Sequence, residues 1–591
     1  MPEIQQHITE LRWKLKEKGN ETTVNNLANE LNINPILANL LVQRNITTFE
    51  EARRFFRPKF EHLHDPFLMK GMTEAVHRLT KAVHNKEKIL IYGDYDVDGT
   101  TSVALVYMFL KQFYSDVFFY IPDRYTEGYG ISKAGIDYAH EHGISLIMTV
   151  DCGIKANGKI NYAREKGIEC IISDHHTPGD EIPCAHAVVD PKQEVCGYPY
   201  KELSGCGVAF KILQGFSLQN NIDFNKLAHL LDLVAVSIAS DIVPLTGENR
   251  ILAYYGLKKI NHSPGTGLAS ILKTAGISDK KILIDDIVFK VGPRINAAGR
   301  MDSGNKAVEL LICKDAEQAD QMSKEINLFN NSRKHIDRKI TQEALDIIAG
   351  DEKYIHRKTT VLFNPDWHEG VLGIVASRLK DYYYRPTVVL TESNGYITGS
   401  ARSVDGFNLY KAIEGCGDLL ENFGGHIFAA GLTMKKEKIS YFTDRFEKLV
   451  SESISDEQLY PQIEVDAELS LSDITPGFYR ILRQFQPFGP ENTAPAFVTR
   501  NVSDSGYGRI VGSTKEHLKL DLVHEEDPMH SISAIAFQKA KHYEAISQGN
   551  PFDICYSIEE NEFMGRTSLQ IRIKDIKVND IVYNTPSDSL P

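Results

Sequence analysis

From Lys88 onward the chain alternates short apolar runs with segments long enough for a helix, and this rhythm restricts the fold more than any other feature of the 591 residues. Residues 89–92, 117–121, 146–150, 169–172 and 187–189 read as strands, and 100–112 as the helix after the first of them. Most separations admit a helix, so a mainly parallel sheet is expected. Open sheets of this kind bind ligands just beyond the C-terminal ends of their strands.

Three of those ends carry groups that bind cations. The first strand runs into Asp94-Tyr95-Asp96-Val97-Asp98-Gly99. Carboxylates at alternate positions repel one another unless a cation neutralises them. An acidic turn capping a helix is the plainer reading, since Gly99, Thr100 and Thr101 can open one. A calcium loop of the EF-hand type fits poorly, because Leu105 stands where the twelfth-position Glu belongs. The strand 146–150 ends in Asp151-Cys152-Gly153, and 169–172 ends in Ser173-Asp174-His175-His176. One carboxylate after a strand is commonly a cap; three such ends on one rim point to a metal. Asp241 follows the apolar helical stretch 230–239. A carboxylate at a helix C-terminus opposes the dipole by about 0.3–1 kcal/mol, which a cation offsets unless the group is simply solvated. Carboxylates with one or two imidazoles favour Mn²⁺ or Mg²⁺ over structural zinc. Five or more ligands exceed the needs of one ion; two ions about 3.5–4 Å apart suit in-line phosphoryl displacement.

The rest of the chain reads more coarsely. Residues 1–75 look helical and connective, and 306–350 contain a long amphipathic helix, 315–348, free of Pro and Gly. Its apolar positions include Ala319, Met322, Ile326, Phe329, Ile336, Ile340, Ala344 and Ile347. A second α/β unit is expected over 351–455 and a small β-barrel over 456–591, with strands at 463–467 and 568–573. The formal charge of −13 speaks against a surface coated for DNA binding, though not against a local basic groove. Cys184, Cys196 and Cys206 are spaced too loosely for a zinc knuckle, and eight cysteines in this length make no disulfide scaffold. Residues 1–20 lack the apolar run of a signal peptide, and 227–239, the most apolar stretch, is broken by Asp232. A cytoplasmic protein with no membrane contact is expected.

The four acidic and histidine pieces, in this order, closely resemble the DHH phosphoesterase family, whose signature is the triplet Asp174-His175-His176. The resemblance implies that Asp96, Asp98, Asp151, His175 and Asp241 are metal ligands. It places His176 on the scissile phosphate and gives Asp94 and Asp174 supporting roles. Further segments are similar to the RecJ branch of that family: Pro293-Arg294-Ile295-Asn296-Ala297-Ala298-Gly299-Arg300, Trp367-His368-Glu369-Gly370, Gly399-Ser400-Ala401-Arg402-Ser403, Gly424-Gly425-His426 and Gln486-Pro487-Phe488-Gly489. By that likeness 76–305 is the catalytic domain, 351–455 the DHH-associated domain and 456–591 an OB-fold-like domain, a multidomain α/β protein. Arg294 and Arg402 have the forked guanidinium that grips phosphate. Gly424 and Gly425 allow backbone N–H groups close to an anion, with His426 as an added donor, unless the pair is only a tight turn. Asn296, Arg300 and Ser400 join this substrate-binding set through their motifs.

The RecJ likeness implies 5′-to-3′ digestion of single-stranded DNA to 5′-mononucleotides with two Mn²⁺ or Mg²⁺ ions. A single-strand-binding protein and a RecQ-like helicase are the partners it suggests, with the chain acting as a monomer. Two other readings stay open: hydrolysis of short oligoribonucleotides or cyclic dinucleotides, and a non-catalytic replication scaffold. The choice of DNA over RNA rests on 2′-OH contacts that a sequence does not display.

Overall fold

Strand β1 (Ile89–Gly93) buries both of its faces, which requires helices on either side of its sheet. In this computed structural model, which describes residues 11–563 and 566–578, Ile89 and Ile91 point into one apolar core, and Leu90 and Tyr92 into another. Around it lie β2 (Val117–Tyr120), β3 (Leu146–Val150), β4 (Glu169–Ser173) and β5 (Ala187–Val189). The order is β2-β1-β3-β4-β5 and every pairing is parallel, as the sequence pattern predicts. The register matters most. Gly93, Val150, Ser173 and Val189 form one cross-strand row, so the next residue of each strand emerges on the same rim. Those residues are Asp94, Asp151, Asp174 and Asp190.

Helices supply the rest of this layer. Helix α1 (Val97–Leu110) starts on Asp96, whose side chain accepts the Gly99 N–H as N-cap. Helices α2 (Lys133–Glu141) and α3 (Asn157–Glu165) cover the face lined by Leu90 and Tyr92. Helices α4 (Gly205–Gln219), α5 (Leu231–Ser240) and α6 (Gly292–Met301) pack on the other face. The expected long helix is α7 (Ala316–Ala349), capped by Asp315. Ala319 and Ile326 enter the first core; Ile340, Ala344 and Ile348 enter that of the second α/β layer. Between them the helix buries Asn330, Arg333 and Asp337, and Asp337 also pairs with Arg378 at 2.7 Å. Near the end Ile348, not the expected Ile347, turns inward, and Ile347 stays exposed. The second layer is a mixed sheet of β6 (Thr360–Phe363), β7 (Thr387–Ser393), β8 (Tyr396–Arg402), β9 (Asn422–Gly425) and β10 (Ala429–Met434), in the order β9-β10-β8-β7-β6.

All of this belongs to one compact unit, Pro58–Ser453 with Pro487–Asn492. The described residues of Met1–Arg57, Ile454–Gln486 and Thr493–Pro591 form a second unit. In it Phe497–Asp504, Phe552–Phe563, Arg566–Val578, Asp527–Ala536 and His517–His524 pair in sequence, and the last returns to the first, closing a five-stranded barrel. The expected helical segment over 1–75 contains the helices Glu21–Leu31, Pro35–Val42 and Phe49–Phe56, with one departure. Arg12–Leu15 is a strand, paired in parallel with Gln462–Val465. Its partner is remote in the chain, a pairing that no local periodicity reveals. The expected strand 463–467 is likewise split at Asp466, whose side chain takes the Ala496 N–H and the Lys16 ammonium.

Candidate metal centre and phosphate site

The rim of the parallel sheet gathers the acidic residues around one imidazole. His175, after β4, donates Nδ1–H to the Leu203 carbonyl at 3.0 Å, which leaves Nε2 as a bare lone pair. That Nε2 faces Asp151 Oδ1 at 3.2 Å, Asp241 Oδ2 at 3.6 Å and Asp98 Oδ2 at 3.7 Å. Both Nε2 and Asp151 Oδ1 are buried without a hydrogen-bond partner among the described residues. Burial holds His175 neutral, down to about 4, against the pull of Asp98. A lone pair aimed at three carboxylates is repulsive in the protein alone.

Each carboxylate is held by a different element. Asp98, in the first turn of α1, accepts the Gly205 and Cys206 N–H groups at 2.7 and 2.8 Å and the Ser237 hydroxyl at 2.7 Å. It thus sits on the N-terminus of α4, where the helix dipole favours an anion. Gly205 is required there, because a Cβ would lie 2.6 Å from the Asp151 carboxylate. Asp151 adopts φ +60°, a left-handed conformation that costs a non-glycine residue about 1–2 kcal/mol. Asp241 caps the C-terminus of α5, as expected, and its side chain is 27% exposed. Burial first, and then the Asp98 charge, pushes Asp96, Asp151 and Asp241 above the usual carboxylate range. Burial and Asp96 raise Asp94 to about 8. Such upward shifts mark negative charge that lacks a counter-ion. Ligand-type atoms of Asp98, His175 and Asp241 lie within 4.8 Å of one another. The carboxylates, the bare nitrogen and the orphaned oxygen therefore fit hard or borderline divalent ions. Asp96 lies beside this group with one oxygen committed to the Gly99 N–H.

His176 behaves differently. Its Nδ1 is 4.0 Å from Asp151 but is committed to Asp174 Oδ1 at 2.8 Å. Burial alone would lower this imidazole; the hydrogen bond and charge of Asp174 overcome it and raise the group to about 9. Asp174 is fixed in turn by the N–H groups of Ile154, His175 and His176. Burial would raise its carboxyl, but the His176 hydrogen bond and charge bring it below the usual range. A cationic imidazole with partly open Nε2 results, 3.3 Å from the Tyr129 hydroxyl. Asp94 accepts the Gly130 N–H on one oxygen, and its other oxygen has no hydrogen-bond partner among the described residues.

The expected substrate-binding residues do not form one group. Arg300 and Arg402 belong together: the guanidinium of Arg300 is lowered to about 10 by burial and then by the charges of Arg124, Arg333 and Arg402. Arg300 also donates to the Gly370 carbonyl, and Arg402 to the Ser400 hydroxyl at 2.9 Å. Gly425 and His426 line a cavity of about 600 Å³ beside His176. Gly425 answers to the β9–β10 hairpin: at φ +153° its Cβ would fall 2.3 Å from the Ala429 carbonyl oxygen. Gly424 has open space, and Asn296 is half-buried on α6. Arg294 turns away, donating to Asn327 and to the Lys290 carbonyl.

Sequence reasoning missed Tyr129, Arg124, Ser237 and Asp190. Arg124 stands shortly beyond β2, and the end of that strand is the signal that could have found it. Asp190 completes the aspartate row after β5; it is fully buried, and burial raises it to about 7. Ser237 carries no local signal, since only the folded α5 brings it to Asp98.

Comparison with known proteins places these features in a family context. Models described as "DHH family, N-terminal domain", "DHHA1 domain" and "RecJ OB domain" match residues 88–238, 337–452 and 465–575. The single-stranded-DNA-specific exonuclease RecJ of Bacillus subtilis is 37% identical over 97% of this chain and 71% of its own length. The protein of the same name from Escherichia coli is 32% identical over 92% of this chain and 96% of its own. A crystal structure of Thermus thermophilus RecJ in complex with Mn²⁺ superposes with a TM-score of 0.82 at 25% identity, covering 96% of this chain and 80% of that one.

Proposed function

The chain belongs to the RecJ family of single-stranded-DNA-specific exonucleases, and on that premise we propose that it hydrolyses single-stranded DNA to 5′-mononucleotides from the 5′ end. The observation that carries this reading is the bare Nε2 of His175 facing the carboxylates of Asp98, Asp151 and Asp241 on a sheet rim. With Asp96 they are the residues that would hold two Mn²⁺ or Mg²⁺ ions. When bound, such ions supply Lewis-acid neutralisation of phosphoryl oxygens and a water ionised near neutral pH.

The protein's own groups do the remainder. Asp98, fixed by three donors, and Asp151, fixed by strained backbone, hold their oxygens in place without rearrangement. His176, kept cationic by Asp174, donates from Nε2 to a non-bridging oxygen of the scissile phosphate. The Tyr129 hydroxyl, 3.3 Å from that Nε2, occupies the place that the phosphate oxygen would take over. Arg300, whose guanidinium feels the charges of Arg124 and Arg402, forms with them a half-buried anion site that would take the 5′-terminal phosphate. In this division residues 76–305 carry the chemistry, 351–455 grip the end of the strand, and the barrel formed by strands between Phe497 and Val578 guides the uncut polymer by stacking and backbone contacts.

Single-strand-binding protein and a RecQ-like helicase as partners, action as a monomer and a cytoplasmic location belong to the same proposal. All eight cysteines are free thiols, which suits a reducing compartment. No described helix is long and apolar enough to cross a membrane. The test is release of mononucleotides from 5′-phosphorylated single-stranded DNA with Mn²⁺, with excess chelator, and with Asp241→Asn. Release only by the unaltered protein with Mn²⁺ is expected. Undiminished release with chelator, or by the variant, would overturn the metal assignment.

A further inference from the structure

Positive charge collects at two separate places around the acidic rim. The arginine group (Arg124, Arg300, Arg402) adjoins α6, on the face of the sheet packed by Ile121, Ile295 and Ala298. The second place lies over the opposite face, where Ile131, Ile136 and Ile160 pack beneath α2 and α3. There a cavity of about 600 Å³ is lined by Lys133, Lys155, Lys159, Tyr129, His176 and His426. The imidazole of His176 thus borders the cavity from the catalytic side.

Three lysines on a surface are ordinarily just solvated. Here they converge on one concavity, with Lys155 in the loop after Asp151 and Lys159 in the first turn of α3. Among the described residues neither Lys155 nor Lys159 pairs with a carboxylate, although acids outnumber bases in the chain, 79 to 66. Among the described residues the Lys133 ammonium meets a ring, 5.5 Å from the centroid of Tyr162, and no carboxylate. Converging unpaired ammonium groups want a polyanion, and each is a point charge that takes phosphate without demanding one orientation. The buried Ile131 and Ile154 and the ring of Tyr129 add apolar lining that suits a sugar or base.

The order of the stations around the rim assigns their contents. A strand whose terminal phosphate rests on the arginines and whose scissile phosphate rests on His176 continues over the other face of the sheet. We propose that the lysine cavity binds internal phosphodiesters of the strand, on the polymer side of the bond being cut. The cavity then makes the enzyme prefer long strands over dinucleotides. This rests on the exonuclease reading and adds to it a site with a stated ligand class.

The experiment uses the full chain with Mn²⁺ and two substrates, a 5′-phosphorylated deoxydinucleotide and a 5′-phosphorylated strand of roughly 20 nucleotides. Lys155→Gln with Lys159→Gln keeps most of each stem and removes both charges. The expected result is a loss in kcat/KM about tenfold greater on the long strand than on the dinucleotide, carried by KM. The salt dependence of KM on the long strand also becomes shallower by about 1.4 in log–log slope, about 0.7 for each phosphate of a single strand that is no longer neutralised. Equal losses on both substrates would move the lysines to the terminal phosphate, and no loss on either would leave the cavity without a role; both overturn the proposal. A wild-type protein that cleaves the dinucleotide but not the long strand would overturn the exonuclease reading itself, a result distinct from either.

Discussion

The Nδ1 of His176 lies 2.8 Å from Oδ1 of Asp174, and this contact raises a largely buried imidazole to about 9. In the proposed mechanism this pair is the donor to the scissile phosphate. Replacing the carboxylate by an amide removes the charge that favours the imidazolium and leaves the ring free to turn. Asp174→Asn is therefore expected to lower kcat by about 10–100-fold. His176 works while protonated, its activity is lost as pH rises through its pKa, and loss of Asp174 lowers that pKa. The alkaline limb of the kcat profile moves to lower pH in the variant; an unmoved limb would separate Asp174 from the titration.

Asp98 and Asp241 both face His175, yet the fold uses them differently. Asp98 satisfies three buried donors, whereas Asp241 is partly open at a helix C-terminus. Asp98→Asn places an amide against some of those donors and is expected to cost about 1–3 kcal/mol of stability. Asp241→Asn relieves repulsion and opposes the helix dipole less, so it is expected to be neutral or slightly stabilising. Both should lose at least about 100-fold in activity. Chemical denaturation beside a nuclease assay distinguishes the two, and equal stability losses would contradict the hydrogen-bond assignment.

Removal of metal should be visible without turnover. The raised carboxyl groups of Asp96, Asp151 and Asp241 show charge that a cation would neutralise. Mn²⁺ at about 100 times its dissociation constant contributes about 2.7 kcal/mol to the folded state, a rise of a few degrees in Tm. Asp241→Asn should show a much smaller rise, and a Tm indifferent to Mn²⁺ in the unaltered protein would contradict the metal centre.

Much of this centre was legible because sequence and register coincide. Asp94, Asp151 and Asp174 each follow an apolar run, and parallel pairing places them on one rim with no further information. The strand before Asp190 was read with its exact bounds, but a single carboxylate followed by Pro191 looks like an ordinary strand-end turn, so its place in the row shows only once the register aligns it with Asp174. The barrel was readable as alternating strands, but the pairing of Arg12–Leu15 with Gln462–Val465 was not, since it joins distant segments. Arg294 shows the limit of motif reasoning. Its residue type suits phosphate, yet its guanidinium is occupied by Asn327 and the Lys290 carbonyl. Arg124, which no motif marks, is a cation whose charge does reach Arg300.

If the arginine group holds the 5′-terminal phosphate, as proposed, it sets the preference for the strand's end. Arg402 is half-buried beside Ser400, where a guanidinium offers two parallel donors that an ammonium does not. Arg402→Lys is expected to narrow the difference in KM between 5′-phosphorylated and 5′-hydroxyl strands by about tenfold, or about 1.4 kcal/mol, leaving the hydroxyl substrate less affected. Competition between the two substrates measures this ratio, and an unchanged ratio would remove Arg402 from the terminal site.

Digestion of single-stranded DNA from the 5′ end by the centre around His175 is tested most directly by a time course with Mn²⁺. The strands carry label at the 5′ or the 3′ end, with Asp241→Asn and a blunt duplex as controls. The expected result is 5′ label appearing at once as mononucleotide while 3′ label stays in long strands until late, with neither control active. Immediate mononucleotide from the 3′-labelled strand, or intact long DNA beside rapid hydrolysis of dinucleotides, would contradict it.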